Sequence, residues 1–307
     1  MIYFRYLFSV ATKLILLIFT LMPGTLSASL SITQESSIKS NVPSMGQAVG
    51  TDFVSNNKGH NKRICLITGA SSGIGEALSR EMIKKDWLVI GVARSLDKLT
   101  TLANEFPDSF LPIVCDVSDE KAVKNISEAL KAKFCYPELF FLNAGLAGEE
   151  AAENPRKIET AHHHKIMATN YFGVLKWIEE WAEYLNLKEK PTTFALTSSV
   201  NVFFAPPGGA AYSASKAAIT KTFESLQRSY FDACLRFLII YPGPIATKGL
   251  KGDVPFTWSA EKLAKYMVEH TLEGQHAMEP SLFYSVVTRL LNWLPDQVVD
   301  KLLKKIS

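Results

Sequence analysis

The chain has 307 residues, with 33 Lys and Arg against 30 Asp and Glu, and 47% of it is hydrophobic. That much apolar surface supports a sizeable core and excludes a disordered, collagen-like or coiled-coil chain. A net charge of +3 with no basic block offers nothing to track a phosphate backbone, so a small-molecule enzyme or binding module is expected and nucleic acid is not.

At the N-terminus, Arg5 and Lys13 flank apolar residues, Leu14 to Met22 form an apolar run of nine, and Pro23-Gly24 leads into small residues ending Leu26-Ser27-Ala28. This is the order of a secretory signal. The run is shorter than the roughly 20 residues that span a bilayer, though reading back to Tyr6 lengthens it. Residues 1–30 therefore read as a cleaved signal or an uncleaved anchor, which would export the domain or hold it at a membrane. If the start is mis-assigned, the protein is cytoplasmic. Residues 31–61, rich in Ser, Asn, Gln, Gly and Thr, read as a flexible tether. Residues 62–307 then read as one domain.

From Lys62 onward, apolar β-branched runs alternate with helical periodicity. Strands are expected at Arg63–Thr68, Trp87–Ala93, Phe110–Cys115, Leu139–Leu142, Thr192–Thr197 and Leu235–Tyr241. Helices are expected at Glu76–Lys85, Asp97–Glu105, Asp119–Lys131, Thr160–Leu187, the last open to a break, and Ala211–Tyr230. Such alternation predicts an α/β fold with a doubly wound, mostly parallel sheet. The cysteines, Cys65, Cys115, Cys135 and Cys234, are too scattered for a disulfide framework and read as reduced core thiols.

The first strand runs into Thr68-Gly69-Ala70-Ser71-Ser72-Gly73-Ile74-Gly75. A glycine-rich strand-to-helix turn lets backbone approach a pyrophosphate at a helix N-terminus. Gly69 allows the turn, Gly73 the approach and Gly75 the packing of helix on strand, with Ser71 and Ser72 as hydroxyl donors and Ile74 between the glycines. Where NAD enzymes place a carboxylate after the second strand, this chain has Arg94. A guanidinium there pairs with a 2′-phosphate, which favours NADP(H). After the third strand, Asp116, followed by Val117, either accepts from the adenine amino group or caps the next helix.

Tyr212-Ser213-Ala214-Ser215-Lys216 places a phenol and an ammonium four residues apart on one helical face, where the cation brings the phenol toward useful acidity. Thirteen positions upstream, Ser199 follows a strand end on the carboxyl edge of the sheet, where open α/β sheets bind ligands.

Together with Asn143-Ala144-Gly145, Asn170 and Pro242-Gly243 through Ile245 to Thr247, these motifs resemble the short-chain dehydrogenases/reductases over residues 63–247. The resemblance implies a Rossmann-type domain with Tyr212 as proton donor or acceptor and Ser199 bonded to the substrate oxygen. Lys216 would hold the nicotinamide ribose, and Asn170 a water in the proton relay. Asn143, Ala144 and Gly145 would lie beside the cofactor ribose. Pro242, Gly243, Ile245 and Thr247 would cradle the nicotinamide. It also implies a homo-oligomer. The expected function is hydride transfer between NADP(H) and an apolar carbonyl or secondary alcohol; the alternative from another class is a non-catalytic NADP-binding sensor or scaffold. A sugar-nucleotide epimerase is a third reading, disfavoured by the glycine spacing.

No metal site is expected: His162-His163-His164 point about 100° apart on a helix and cannot converge on one ion. Asn125-Ile126-Ser127 matches a glycosylation sequon but falls within a helix. Phe203 and Phe204 either line an apolar pocket or pack on a neighbouring helix. By the same resemblance, residues 248–260 occupy the family's substrate-loop position. Leu282–Leu294 and Gln297–Ile306, the second carrying Lys301, Lys304 and Lys305, are amphipathic stretches that either lie on an anionic membrane or cover the pocket or sheet edge.

Overall fold

The computed structural model describes residues 62–133, 135–147, 158–246 and 256–304. The expected signal or anchor, the tether and Thr247 lie outside them. Strands β1 (Ile64–Thr68), β2 (Leu88–Ala93), β3 (Phe110–Val114), β4 (Leu139–Leu142), β5 (Thr192–Thr197) and β6 (Leu235–Ile240) lie within a residue or two of their expected bounds. A two-residue β9 (Ala277–Met278) extends them to a seven-stranded sheet, parallel throughout, in the order β3-β2-β1-β4-β5-β6-β9. Sequence reasoning missed β9, which is too short to show alternation.

Alternation along each strand divides the core between two faces. Cys65, Ile67, Val89 and Phe141 face α1 (Gly73–Lys84), α2 (Leu96–Glu105) and α7 (Ala260–Leu272). Leu66, Ile90, Phe140 and Phe194 face α3 (Glu120–Ala132), α5 (Gly173–Leu187) and α6 (Ala210–Ser229). Phe140, Phe194 and Phe237 sit in register across β4, β5 and β6, with successive rings stacked at 4.7 and 5.2 Å. Offset aromatic stacking of this kind adds about 0.5–1.5 kcal/mol per pair beyond burial. Gly91 is required by the same face-to-face economy, because a Cβ there would lie 2.1 Å from the Phe110 ring.

The break left open in the segment from Thr160 is present: it is α4 (Thr160–Met167), a π-helical turn (Ala168–Phe172) and then α5. Two expectations are corrected. Asp119 is not the first residue of α3 but its N-cap, accepting from Ala122 N at 3.0 Å. Helix α7 was not anticipated, although Ser259 caps it and Leu263, Ala264, Met267 and Val268 form its buried stripe. Of the thiols, Cys234 is only partly buried, whereas Cys65, Cys115 and Cys135 are core residues. Desolvation pushes Cys115 up to about 12 and Cys135 up to about 11, so neither is a ready nucleophile.

Near the C-terminus, α8 (Leu282–Trp293) buries Tyr284, Val287 and Leu291 in the core, as the covering alternative expects. It is followed by α9 (Asp296–Lys304). Among the described residues, no helix is long and apolar enough to cross a membrane.

Candidate active site

The chain reverses its direction across the sheet between β1 and β4, and ligands of open α/β sheets bind at the crevice such a switch leaves. Both flanking loops carry expected site residues. Gly69 and Gly73 have φ of +72° and +56°, the left-handed region that glycine tolerates. At Gly75 a Cβ would stand 2.1 Å from the Gly69 carbonyl oxygen, so only glycine lets α1 start this close to the strand. Ser72 occupies the N-cap without making a side-chain capping bond. The N–H groups of the first turn thus remain to meet an anion, and the turn fits a dinucleotide pyrophosphate.

Asn143 anchors the facing loop. Its Nδ2 donates to Thr68 O at 3.2 Å, and its Oδ1 accepts from Thr197 Oγ1 at 3.2 Å, tying β1, β4 and β5 together. Thr68 Oγ1 accepts from both Asn143 N and Ala144 N at 3.0 Å. Sequence reasoning gave Thr68 and Thr197 no role; a threonine at a strand end beside a glycine turn was the available signal. Ala144 and Gly145 follow, and a Cβ on Gly145 would lie 3.5 Å from Lys216 Nζ.

At the expected adenosine end, Arg94 Nη1 lies 3.7 Å from Asp116 Oδ2, the side chains 64% and 40% exposed. Asp116 does not cap α3; its Oδ1 accepts from Ser118 N at 2.9 Å and Ser118 Oγ at 2.7 Å, closing a local turn that leaves Oδ2 outward. Val117 is buried beneath this turn, its carbonyl 2.7 Å from where a Cβ on Gly173 would be.

The expected catalytic residues converge from β5 and α6. Ser199 is buried and begins a single 3-10 turn (Val200–Val202), its Oγ accepting from Asn201 N at 3.2 Å. Tyr212 and Lys216 lie one turn apart on α6, the ammonium 6.0 Å from the phenol ring centre. Lys216 Nζ donates to Thr197 O at 2.7 Å. Burial without a carboxylate partner lowers its pKa to about 8. Desolvation raises the Tyr212 phenol, and its hydrogen bond with Ser199 pulls it back in part.

Asn170 is fully buried in the π turn. Its Oδ1 accepts from Leu146 N at 2.8 Å, while Nδ2 donates to Leu146 O at 3.1 Å and Ser215 Oγ at 3.0 Å. Ser215 in turn donates to Tyr212 O at 2.7 Å. The π turn therefore joins the Gly145-Leu146 loop to the tyrosine helix, a link through Ser215 that the sequence did not reveal.

Among the residues expected to cradle the nicotinamide, Pro242 O accepts from Val200 N at 3.1 Å, and Ile245 pairs with Trp258 where β7 (Ile245–Ala246) meets β8 (Trp258–Ser259). Gly243 is pressed against α8, since a Cβ would meet Ser281 at 2.8 Å. Phe203 is taken up in packing, 5.0 Å from the Tyr241 ring, and Phe204 packs on the same core cluster. Away from the site, His162, His163 and His164 lie on α4, while Asn125 and Ser127 lie on α3, where Ser127 Oγ accepts from Trp181 Nε1 at 3.0 Å.

A family model described as short chain dehydrogenase matches residues 63–255. Serine 3-dehydrogenase of Agrobacterium fabrum is 31% identical over 183 residues, covering 60% of this chain and 72% of that enzyme. An alcohol dehydrogenase from the archaeon Thermococcus sibiricus, solved with 5-hydroxy-NADP, superposes with a TM-score of 0.62 at 23% identity, covering 71% of this chain and 95% of its own. A short chain dehydrogenase/reductase from Burkholderia phymatum, solved with NAD, gives 0.68 at 17% identity, covering 76% and 93%. These two structures share the fold and differ in the cofactor they hold.

Proposed function

The chain belongs to the short-chain dehydrogenase family of oxidoreductases, and we propose that it is an NADP(H)-dependent enzyme interconverting an apolar carbonyl compound and its secondary alcohol. The observation that carries this reading is the meeting of Ser199, Tyr212 and Lys216 at the carboxyl edge of the sheet. The preference for NADP(H) is supported by Arg94 in place of a carboxylate after β2.

The dinucleotide would rest its phosphates on the Gly69–Gly75 turn and the start of α1. Arg94, Asp116 and Val117 would take its adenosine end. Asn143, Ala144, Gly145, Tyr212, Lys216, Pro242, Gly243 and Ile245 would line its other half, with Thr247 following. When bound, the nicotinamide supplies or takes up the hydride.

Tyr212 performs the proton transfer. It gives its phenol proton to the substrate oxygen in reduction and takes it back in oxidation; carbonyl reduction is the direction we assign, from the NADPH that Arg94 would select. Ser199 donates to the same substrate oxygen and shares its developing negative charge, an effect worth about 2.7–4 kcal/mol where a comparable donor has been removed from another enzyme. Lys216, cationic below pH about 8, opposes the charge left on Tyr212 once the proton has gone. Asn170 keeps α6 and the Gly145 loop in mutual register through Leu146 and Ser215.

The test is NADPH consumption by the purified protein over a panel of aliphatic and aromatic ketones and aldehydes, beside Tyr212→Phe. Loss of general acid catalysis predicts a fall of about 10²–10⁴ in kcat for the variant with NADPH still bound. Wild type that never exceeds Tyr212→Phe on any substrate overturns the assignment.

A further inference from the structure

Helix α8 touches both walls of the active site. Its N-terminal Ser281 and Tyr284 abut Gly243, where a Cβ would lie 2.8 and 3.1 Å from them. Two turns on, Arg289 forks onto Glu279, with Nη1 2.7 Å from Oε2 and Nη2 2.5 Å from Oε1. The same guanidinium lies over the Phe203 ring, 3.7 Å from its centre. Phe203 ends the turn that Ser199 begins: Phe203 N donates to Val200 O at 3.1 Å, and Ser199 Oγ accepts from Asn201 N. The Phe203 ring also packs on Tyr241, 5.0 Å away, whose own N–H donates to Met278 O at 2.9 Å, next to Glu279.

Resting on the reading that Ser199 and Tyr212 are the reacting pair, we propose that Arg289, aimed by Glu279, is a positioning residue that holds the Phe203 turn and thereby sets Ser199 against Tyr212. A planar, bidentate cation suits this place. Glu279 fixes the plane of the fork, and the plane then covers an aromatic face, which a lysine ammonium cannot reproduce. The charge itself is spent on Glu279, so Arg289 is not offered as a binder of an anionic substrate. The ion pair is partly exposed and contributes little to global stability. Its effect is local, on a single turn with Ser199 at one end and Phe203 at the other.

The experiment compares Arg289→Met, Arg289→Lys, Glu279→Gln and Phe203→Leu. For Arg289→Met, kcat is expected to fall about tenfold or more, with Tm within a few degrees and the Kd for NADPH within about twofold of wild type. Arg289→Lys recovers only part of the loss, and Glu279→Gln shifts kcat in the same direction. Combining Arg289→Met with Phe203→Leu adds nothing to either alone, because both break one link.

A second readout needs neither cofactor nor substrate. With tyrosine ring carbons labelled and Tyr212 assigned through Tyr212→Phe, NMR titration follows the Tyr212 phenol directly. Arg289→Met and Ser199→Ala should move that titration upward by similar amounts, since each costs Tyr212 its serine partner. Unchanged kcat and unchanged Tyr212 titration in Arg289→Met, whatever its Tm, overturn the positioning role. If wild type turns over no carbonyl at all, the function proposed above fails, and the titration still decides the role of Arg289.

Discussion

Lys216 Nζ donates 2.7 Å to the carbonyl oxygen of Thr197, the residue whose hydroxyl donates to Asn143. The lysine is thus fixed to the end of β5, and no carboxylate offsets its burial; desolvation alone brings it down to about 8. An unfolded lysine titrates near 10.4. Between those two values the unfolded chain binds more protons than the folded one, so folding becomes more favourable as pH rises through the window. Against Lys216→Met, which lacks this linkage, wild-type stability should gain up to about 3 kcal/mol between pH 7.5 and 10.5. Parallel urea titrations of both proteins measure it. Curves with a constant offset across that range would show that Lys216 is not desolvated as the fold requires.

Thr68 and Asn143 make separable contributions. The Thr68 hydroxyl takes two backbone N–H groups, while the Asn143 amide contributes one bond to β1 and one to β5. Thr68→Val strands the Ala144 N–H, while the Asn143 N–H keeps Phe141 O at 3.0 Å; Asn143→Ala costs one bond to the Thr68 carbonyl and one to the Thr197 hydroxyl, both at buried residues. A stranded buried donor costs about 1–3 kcal/mol, and a typical lost bond about 0.5–1.5 kcal/mol. Each variant should therefore lose about 1–3 kcal/mol of stability, which calorimetry checks. A Thr68→Val protein as stable as wild type would mean that the loop is held by something other than the Thr68 hydroxyl.

The strands and the Tyr212–Lys216 spacing were legible in the sequence for opposite reasons. Strand cores such as Ile64–Thr68 and Leu235–Ile240 are nearly continuous apolar runs because both sheet faces are covered. Tyr212 and Lys216 were found by a fixed helical interval that packing does not alter. What stayed hidden depends on partners distant in the chain. The π turn at Ala168–Phe172 exists where Asn170 reaches Leu146 and Ser215, and β9 exists where Met278 O meets Tyr241 N. Nothing local marks either. Asp116 was misjudged as a possible cap because Asp119, three residues on, has the same chemistry and the correct distance to Ala122 N.

Two glycines of the site differ in what they tolerate. A methyl at Gly75 would overlap the Gly69 carbonyl at 2.1 Å, a backbone atom that cannot withdraw. At Gly145 the neighbours are Asn170 Oδ1 at 3.4 Å and Lys216 Nζ at 3.5 Å, ordinary contact distances. Gly75→Ala should lose several degrees in Tm together with cofactor binding. Gly145→Ala should fold like wild type, and any loss should fall on the cofactor side, where the methyl crowds the Lys216 ammonium. Circular dichroism melts and NADPH fluorescence titration separate the two; equal Tm losses would mean that the turn relaxes and that Gly75 is not fixed by its backbone neighbour.

The remaining prediction concerns cofactor choice. Arg94 and Asp116 stand 3.7 Å apart with exposed side chains, so their attraction is weak and the guanidinium stays available. A hydrogen bond to a charged group contributes about 1.5–3 kcal/mol, or roughly 10- to 150-fold in affinity. Arg94→Ala should weaken NADPH binding by such a factor and leave NADH within about twofold. Asp116→Asn keeps an oxygen for the turn with Ser118 while removing a negative charge beside Arg94, and any change at the adenine is shared by both dinucleotides, so the ratio of NADPH to NADH affinity should rise a few-fold. The Arg94 effect should also shrink in high salt, as expected of an exposed charge pair. Fluorescence titrations with both dinucleotides at two ionic strengths measure all of these, and an equal loss of NADPH and NADH affinity in Arg94→Ala would remove the 2′-phosphate assignment.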